Sequence, residues 1–596
     1  MSETKTCQNC KQSFVIEPED FDFYEKVKVP PPTWCPECRA VRRMIFRNLR
    51  TLHLRDVVGS EKKVISNYSP AVPFPVYKYD YWISDSWDPM VYGRDYDFSR
   101  PFFEQIQELM NLVPWPHGWN LFSVRSDYCF NVSHLKDCYF LFNSGFSEDS
   151  GYCTELLHSK SVFDSTKTVS SELSYELLDC EKCYQSFFCV DCVECSNIYF
   201  SYRLLDCRDC FGCVNLRHKQ YCIFNQQHTK EEYEKYKKNF SFGSHVAVDN
   251  VRKEVKNHIM KYPARFMHGT HNYSVTGDYI DHSRNVRNSF LCRDLENCAY
   301  CQLILFMPTK DSFDISVAAG ELCYELEEAG GYNVQFSYRA LPKNLGRKQI
   351  NLSNLRYIVN CAGCSNLFGC AGLRNKQYCI LNKQYTKEEY EKLVPKIVDH
   401  MNDRPYVDVK GRIYKYGEFF PPELSPFAYN ETIAQEYFPL TKEQALTQGY
   451  RWKNPETKDY KITIKPEDLP DHVKEVGDDI LKETISCAHG GKCNEQCTQA
   501  FKIIEPELQF YRKMNLPLPR LCPNCRHYQR LKQRNPLKLW HRKCTCAGER
   551  SENSIYQNTT KHFHENSHCP NEFETSYSPD RPEIIYCEQC YNAEVA

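Results

Sequence analysis

"FGCVNLRHKQYCIFNQQHTKEEYEKY", residues 211–236, returns as "FGCAGLRNKQYCILNKQYTKEEYEKL" at 368–393, a constant offset of 157 residues. Each copy closes an arm rich in Cys, Tyr and Phe, spanning residues 121–228 and 271–385. Within the arms, short runs such as "CYFLF", "CYQSFF", "IYFSY" and "YCIFN" recur about every 12–15 residues between Asp, Asn, Ser and Gly turns. Short strands repeated without helical patterns between them predict a β-solenoid, or failing that a stacked β-sheet domain. Thr229 with Glu232, and Thr386 with Glu389, match the capping-box pattern, so a helix is expected after each arm.

The two ends repeat as well. Cys7-x2-Cys10 is followed after 24 residues by Cys35-x2-Cys38, and Cys497 is followed after 24 by Cys522-x2-Cys525. An offset of 487 pairs Phe14 with Phe501, Ile16 with Ile503, Phe23-Tyr24 with Phe510-Tyr511, and Pro30 and Pro32 with Pro517 and Pro519. Four thiolates arriving as two close pairs suit tetrahedral Zn²⁺, since each pair sits on a tight turn whose amides face the sulfurs. Asn494 stands at the first-ligand position of the second copy. Cys493 beside it makes a Cys-x3-Cys knuckle, with Cys487 as the fallback ligand. A third site is expected near the C-terminus around Cys587-x2-Cys590, with Cys569 and either Cys544 or Cys546. His564 and His568 are substitutes, and the stretch before Cys569 forms an inserted loop. Two to three zinc ions are therefore expected.

On a helix, Arg39, Arg42, Arg43, Arg47 and Arg50 fall within one arc, with Val41, Met44, Ile45 and Leu52 opposite. Arg526, Arg530 and Arg534 keep the stripe in the second copy, where Tyr528 and Leu531 face inward and Pro536 ends the helix. From Cys522 to Lys543 inclusive there are seven Lys/Arg and no acidic residue. Arginine is the better bidentate phosphate ligand. The stripes are read as contacts for nucleic acid or ribonucleoprotein, with an acidic protein surface or a merely solvated face as the alternatives.

The 596 residues predict several domains, because single cores stop growing at roughly 250–300 residues. Hydrophobic content of 41% and aromatic content of 14% set the chain apart from disordered sequences, and a net charge of −2 leaves any basic site local. "MSETKTCQNC" has neither a basic nor an apolar segment, and no run approaches the ~18 apolar residues of a membrane span. The 34 cysteines are accordingly read as metal ligands or small buried hydrophobes in a reducing cytoplasm.

Cys189-x2-Cys192-x2-Cys195 and Cys207-x2-Cys210-x2-Cys213 look like the start of an iron–sulfur ligand run. The internal repeat argues otherwise. At the 157 offset Cys210 becomes Leu367 and Leu204 becomes Cys361, an exchange that suits a buried apolar slot. Stacked free thiols in the solenoid core are the expectation.

Asp85, Asp88, Asp95 and Asp97 could hold Mg²⁺ but read more simply as turn residues, with Ser99-Arg100-Pro101 as the cap and start of the next helix. His268 and His271 have no ligand spacing. The chain carries no P-loop, Gly-x-Gly-x-x-Gly, Gly-x-Ser-x-Gly or His-Glu-x-x-His motif. A binding or assembly role is therefore favoured over catalysis.

The module "CQNCKQSFVIEPEDFDFYEKVKVPPPTWCPECRAVRR" resembles a zinc-binding treble-clef family in which Cys-x2-Cys, a Phe-Tyr segment and Cys-Pro-x-Cys-Arg recur in this order. The resemblance implies ligands at Cys7, Cys10, Cys35 and Cys38. With "NLPLPRLCPNCR" and "PDRPEIIYCEQCY", the chain also looks like large uncharacterised zinc-ribbon proteins of bacteria, which implies zinc and a bacterial cytoplasm and supplies no activity.

The organisation expected is mainly β with α. It comprises a treble-clef module (1–56), an aromatic and acidic linker with a helix (57–120), the first arm (121–228), a helical connector (229–270) and the second arm (271–385). A Cys-free helical connector (386–486), a second treble clef (487–543) and a zinc ribbon (544–596) follow. Thr441 with Gln444 predicts a capped helix in the last connector. One reading of this plan is a middle that spaces two arginine-striped helices to grip a polyanion. The other is an assembly protein whose solenoid is the interface and whose zinc modules cap its ends.

Overall fold

A computed structural model describes residues 2–305, 308–317, 320–341, 352–454 and 460–595. The chain is mainly β with some helices, and a β-solenoid of about 20 turns occupies residues 120–380. The molecule divides into two compact units, each discontinuous in sequence: 1–118 with 267–454, and 119–266 with 455–596.

In the second of these units the arm advances 12 residues per coil, pairing Lys160 with Glu172, Ser196 with Arg208 and Arg208 with Gln220 in parallel. Every third residue from Phe122 to Phe224 has a positive φ, between 45° and 65°. Residues other than glycine rarely adopt this region. Here it turns the chain sharply after every three residues, so one coil has four short sides.

The corner explains the cysteines. In each triplet one amide bonds to the next coil (Val124 to the Leu135 carbonyl, 2.8 Å) and the αL amide to the preceding one (Asp137 to the Val124 carbonyl, 3.0 Å). The third residue points inward and its N–H has no carbonyl on that ladder. Where the inward residue 12 positions earlier is Ser or Cys, its side chain takes it: Leu156 N–H donates to Ser144 Oγ (3.0 Å), Leu141 N–H to Cys129 Sγ (3.4 Å) and Cys207 N–H to Cys195 Sγ (3.5 Å). Ser and Cys return their own proton to the carbonyl two residues back, as in Ser147 to Gly145 (3.0 Å) and Cys189 to Phe187 (3.2 Å). A buried amide without a partner is costly. The Cys-x2-Cys runs are thus an interior stack of thiols, with Cys180, Cys189, Cys192, Cys195, Cys207, Cys210 and Cys213 in one buried cluster.

The second arm, in the other unit, repeats the device: Leu295 N–H donates to Ser283 Oγ and Cys301 N–H to Ser289 Oγ, each at 3.1 Å. Its step changes locally, to 14 residues at Leu295–Thr309 and 11 at Phe313–Tyr324. Both arms close alike. Asn225 pairs its amide with both backbone groups of Val214, and Asn382 does the same with Ala371. Thr229 and Thr386 then cap the helices Lys230–Asn239 and Lys387–Asp403 with full capping boxes. Thr441 caps Lys442–Thr447 in the same way. This end of each arm is therefore closed by its own hairpin and helix, not by a cysteine module.

The stretch 57–118 packs on the second arm: the ring of Phe102 lies 5.0 Å from Tyr357 and 5.4 Å from Phe368. Its helix runs Phe102–Leu112 with Pro101 in the capping position, one residue later than the expected start and without Ser99 as cap. Asp97 instead accepts the Ser99 N–H at 2.8 Å, closing a turn.

Candidate metal centres

The first module starts with a hairpin, Glu3–Thr6 against Ser13–Ile16, that sets Cys7 and Cys10 at its mouth. Cys7 N–H donates to the Gln12 carbonyl (2.9 Å), and Cys35 N–H donates to Cys7 Sγ (3.3 Å). Cys35 is the N-cap and Pro36 the first residue of the helix Pro36–Met44, so Cys35 and Cys38 sit in its positive first turn, where a thiolate is favoured. The Sγ atoms of Cys7, Cys10, Cys35 and Cys38 all lie within 4.8 Å of one another, Cys10 to Cys35 at 3.8 Å.

Two further sets repeat this geometry. Cys487, Cys497, Cys522 and Cys525 form one, and Cys544, Cys569, Cys587 and Cys590 the other. Cys487 N–H reaches the Gln499 carbonyl (2.7 Å) and Cys544 N–H the Asn571 carbonyl (2.9 Å). Cys522 N–H donates to Cys487 Sγ (3.3 Å), and Cys587 N–H to Cys544 Sγ (3.2 Å). Cys497 to Cys522 spans 3.9 Å and Cys569 to Cys587 3.8 Å. A sulfur–metal distance of about 2.3 Å implies tetrahedral edges of roughly 3.8 Å, so all three sets could hold a metal ion. Crowding splits the thiols: mutual hydrogen bonding drives Cys7, Cys522 and Cys587 well down and Cys38, Cys525 and Cys590 well up.

The alternative ligands fall into separate groups. Cys487, the fallback, occupies the position of Cys7. Cys493 lies instead in a neighbouring group with His489, Glu495 and Cys525, 3.6 Å from Cys525 Sγ. Between first and second ligand the three sets have two, nine and twenty-four residues, and that growth hid Cys487 from a fixed register. Cys544, not Cys546, completes the third set. Cys546 gathers with His562, His564 and Cys590. His562 was missed and His568 stands exposed.

The arginines follow. Both helices are shorter than expected, Pro36–Met44 and Pro523–Leu531, so Arg47, Arg50 and Arg534 lie in the turns beyond them, and the second helix has ended before Pro536. All eight arginines are buried. Arg39 and Arg43 meet the two carboxylate oxygens of Asp314 at 2.9 and 3.0 Å. Arg42 bridges Glu325 (2.7 Å) and Glu418 (2.6 Å), and Arg47 reaches Glu328 (3.1 Å). In the other unit Arg526 and Arg530 meet Asp164 at 2.5 and 3.1 Å, and Arg534 meets Asp179 at 2.7 Å. The expectation that these stripes face an external polyanion is corrected by that burial: the carboxylates they meet are internal, most of them on the flank of an arm. Aromatic stacking reinforces each dock, Phe23 on Phe313 (3.9 Å) and Phe510 on Phe163 (4.3 Å).

Asp88 and Asp97 accept turn amides and Asp95 pairs with Lys383 at 2.5 Å, so the acidic segment is occupied by turns and an ion pair. His268 bonds Asp278 at 2.9 Å, and His271 stacks on His282. Among the described residues no helix is long and apolar enough to cross a membrane.

No family model and no curated protein matches the chain. Among solved structures the chain is similar to one described as "putative acetyltransferase from Desulfovibrio desulfuricans G20", at 10% identity and a TM-score of 0.09, over 50% of this chain and 86% of that one. So low a score carries no argument about fold or activity.

Proposed function

We propose that the chain is a zinc-bound assembly scaffold. Zn²⁺ is the fitting ion for three closed all-thiolate sets without an open coordination position. The carrying observation is that two equivalent arginine pairs, Arg39 with Arg43 and Arg526 with Arg530, are each consumed by one buried arm carboxylate. Metal-held modules whose charge is satisfied internally act as clamps on the arms, and the uncovered coils are the surface offered to a protein partner. Free thiols in this number fit a reducing cytoplasm.

Contact with nucleic acid keeps one observation in its favour, an exposed ladder on the first arm. His134 lies 5.1 Å from Phe122 and stacks on Phe146 at 4.5 Å, and Phe146 stacks on His158 at 4.9 Å. One experiment separates the readings. The purified chain is assayed for metal content and for retention of mixed RNA and DNA at low and high salt. Bound zinc without retention is the expected outcome. Salt-sensitive retention that falls in Phe122→Ala/Phe146→Ala would overturn the scaffold reading.

A further inference from the structure

We infer that the C-terminal module holds two metal ions joined by one thiolate, Cys590. This rests on the reading that Cys544, Cys569, Cys587 and Cys590 hold zinc, and adds a second ion on Cys546, His562, His564 and the same Cys590.

The second set is as well formed as the first. Its four ligand atoms lie within 4.8 Å of one another, with Cys546 Sγ 3.1 Å from His562 Nδ1 and His564 Nε2 3.3 Å from Cys590 Sγ. Bond lengths of about 2.3 Å to sulfur and 2.0–2.1 Å to nitrogen imply edges of roughly 3.3–3.8 Å. Both imidazoles are held from behind. His562 Nε2 meets Glu594 Oε1 at 2.8 Å, and His564 Nδ1 meets the Ser567 carbonyl at 2.7 Å. Those contacts place the ring protons at the rear and leave a lone pair on each nitrogen facing the sulfurs, the usual arrangement behind a metal-bound histidine.

Glu594 is itself fixed by Tyr556, Thr559 and Thr560, and Asn558 Nδ2 donates to Cys546 Sγ at 3.2 Å. Charge points the same way. One divalent ion on four thiolates leaves a double negative charge beside Cys546 and the buried Glu594 carboxylate. Two ions on five thiolates leave a single one, and buried charge is stable only when compensated.

The long loop explains how the set arose. Its twenty-four residues carry Cys546, His562 and His564 back over the knuckle, whereas the two-residue loop of the first module carries Asn9, which donates to Cys38 Sγ at 3.3 Å. In the second module the nine-residue loop brings His489, Cys493 and Glu495 to Cys525, where Glu495 is shared between Lys532 and His489, 3.1 Å away, and among the described residues no second-side contact holds the imidazole as Glu594 holds His562. The inference is confined to the third module.

Metal per chain is counted by native mass spectrometry and elemental analysis on the full-length protein, for the parent, His562→Asn/His564→Asn and Cys569→Ser. The histidine variant is expected to lose one ion and keep the rest, and Cys569→Ser to lose a different one. In the parent loaded with ¹¹³Cd²⁺, two cadmium resonances should show mutual splitting through the shared sulfur. That measurement needs no variant to fold. Equal metal content in parent and histidine variant, with no splitting, would overturn the pair and leave His562 as a hydrogen-bonding bridge between Glu594 and Cys546. Loss of one ion without splitting would overturn the shared thiolate. If Cys569→Ser and Cys7→Ser lose no metal, the zinc reading itself has failed, an outcome distinct from either.

Discussion

The two units solve one docking problem with unequal means. In both, a helix that begins at a metal-set knuckle lays an arginine pair on a single arm aspartate, Asp314 in one unit and Asp164 in the other. The Phe preceding each aspartate receives a module Phe. The unit built on the second arm adds Arg42 and Arg47 with Glu325, Glu418 and Glu328. The other unit has fewer buried ion pairs at its dock but, among the described residues, four of the five groups that could hold a metal ion. One unit carries more buried charge at its dock, the other more groups that could hold a metal ion. Buried ion pairs are weak net stabilisers yet costly to break singly, so they specify a dock more than they strengthen it. Metal closes a module whose own core is too small to stand alone.

Metal removal should therefore give the largest effect, since a structural zinc contributes roughly 10–16 kcal/mol to a small module. Chelation is expected to release both modules while the coils keep their β signal in circular dichroism. Trypsin reports the units separately: cleavage should appear at Arg39–Arg47 and at Arg526–Arg534, sites protected by burial in the folded chain. Collapse of the β signal together with the modules would show that the arms depend on the clamps.

Asp314→Asn and Asp164→Asn come next. Asp314→Asn takes from Arg39 and Arg43 the carboxylate they share, and Asp164→Asn does so for Arg530 while Arg526 keeps Glu507 at 3.2 Å, each at a cost of about 3–5 kcal/mol in urea unfolding. Tryptic cleavage should open at Arg39 or Arg526 respectively, and equal loss at both would contradict the division into two docks.

A pH effect sharpens the contrast further. Burial pushes Glu327, beside Arg47, up to about 8 from an ordinary 4.5. The folded chain then keeps a proton that the unfolded chain has lost, so stability contributed by this group is present below pH 4.5 and lost as pH rises toward 8. Glu327→Gln should flatten that slope in urea midpoints measured at pH 5, 6.5 and 8.

The smallest effect concerns the coils. Ser165 Oγ takes the Leu177 N–H at 3.0 Å. Ser165→Ala orphans it and should cost about 1–3 kcal/mol, whereas Ser165→Cys keeps an acceptor and should cost under ~1 kcal/mol. Equal losses would refute the account of why Ser and Cys share this interior.

The arms were legible because repetition is visible without coordinates. The 157 offset, the capping boxes at Thr229 and Thr386 and the exchange of Cys210 for Leu367 all survive in the structure. The three-residue corner was not legible, because ordinary strand reading looks for alternation with period two, whereas here every third residue turns inward. At the metal sets the knuckles stood out. The choice of Cys487 over Cys493, the choice of Cys544 over Cys546, and the place of His562 depended on loops whose lengths no fixed register could follow.

By itself the sequence determined the local chemistry: which thiols pair on a turn, which segments repeat, where helices are capped. Spacing along the chain carries that information. Only the tertiary structure decided what the arginines do. Arg39 and Asp314 are 275 residues apart, and a guanidinium stripe looks the same in sequence whether it faces water, phosphate or a buried carboxylate. Partners at that distance are chosen by how the chain packs, and here packing turned the apparent binding face into an internal clamp.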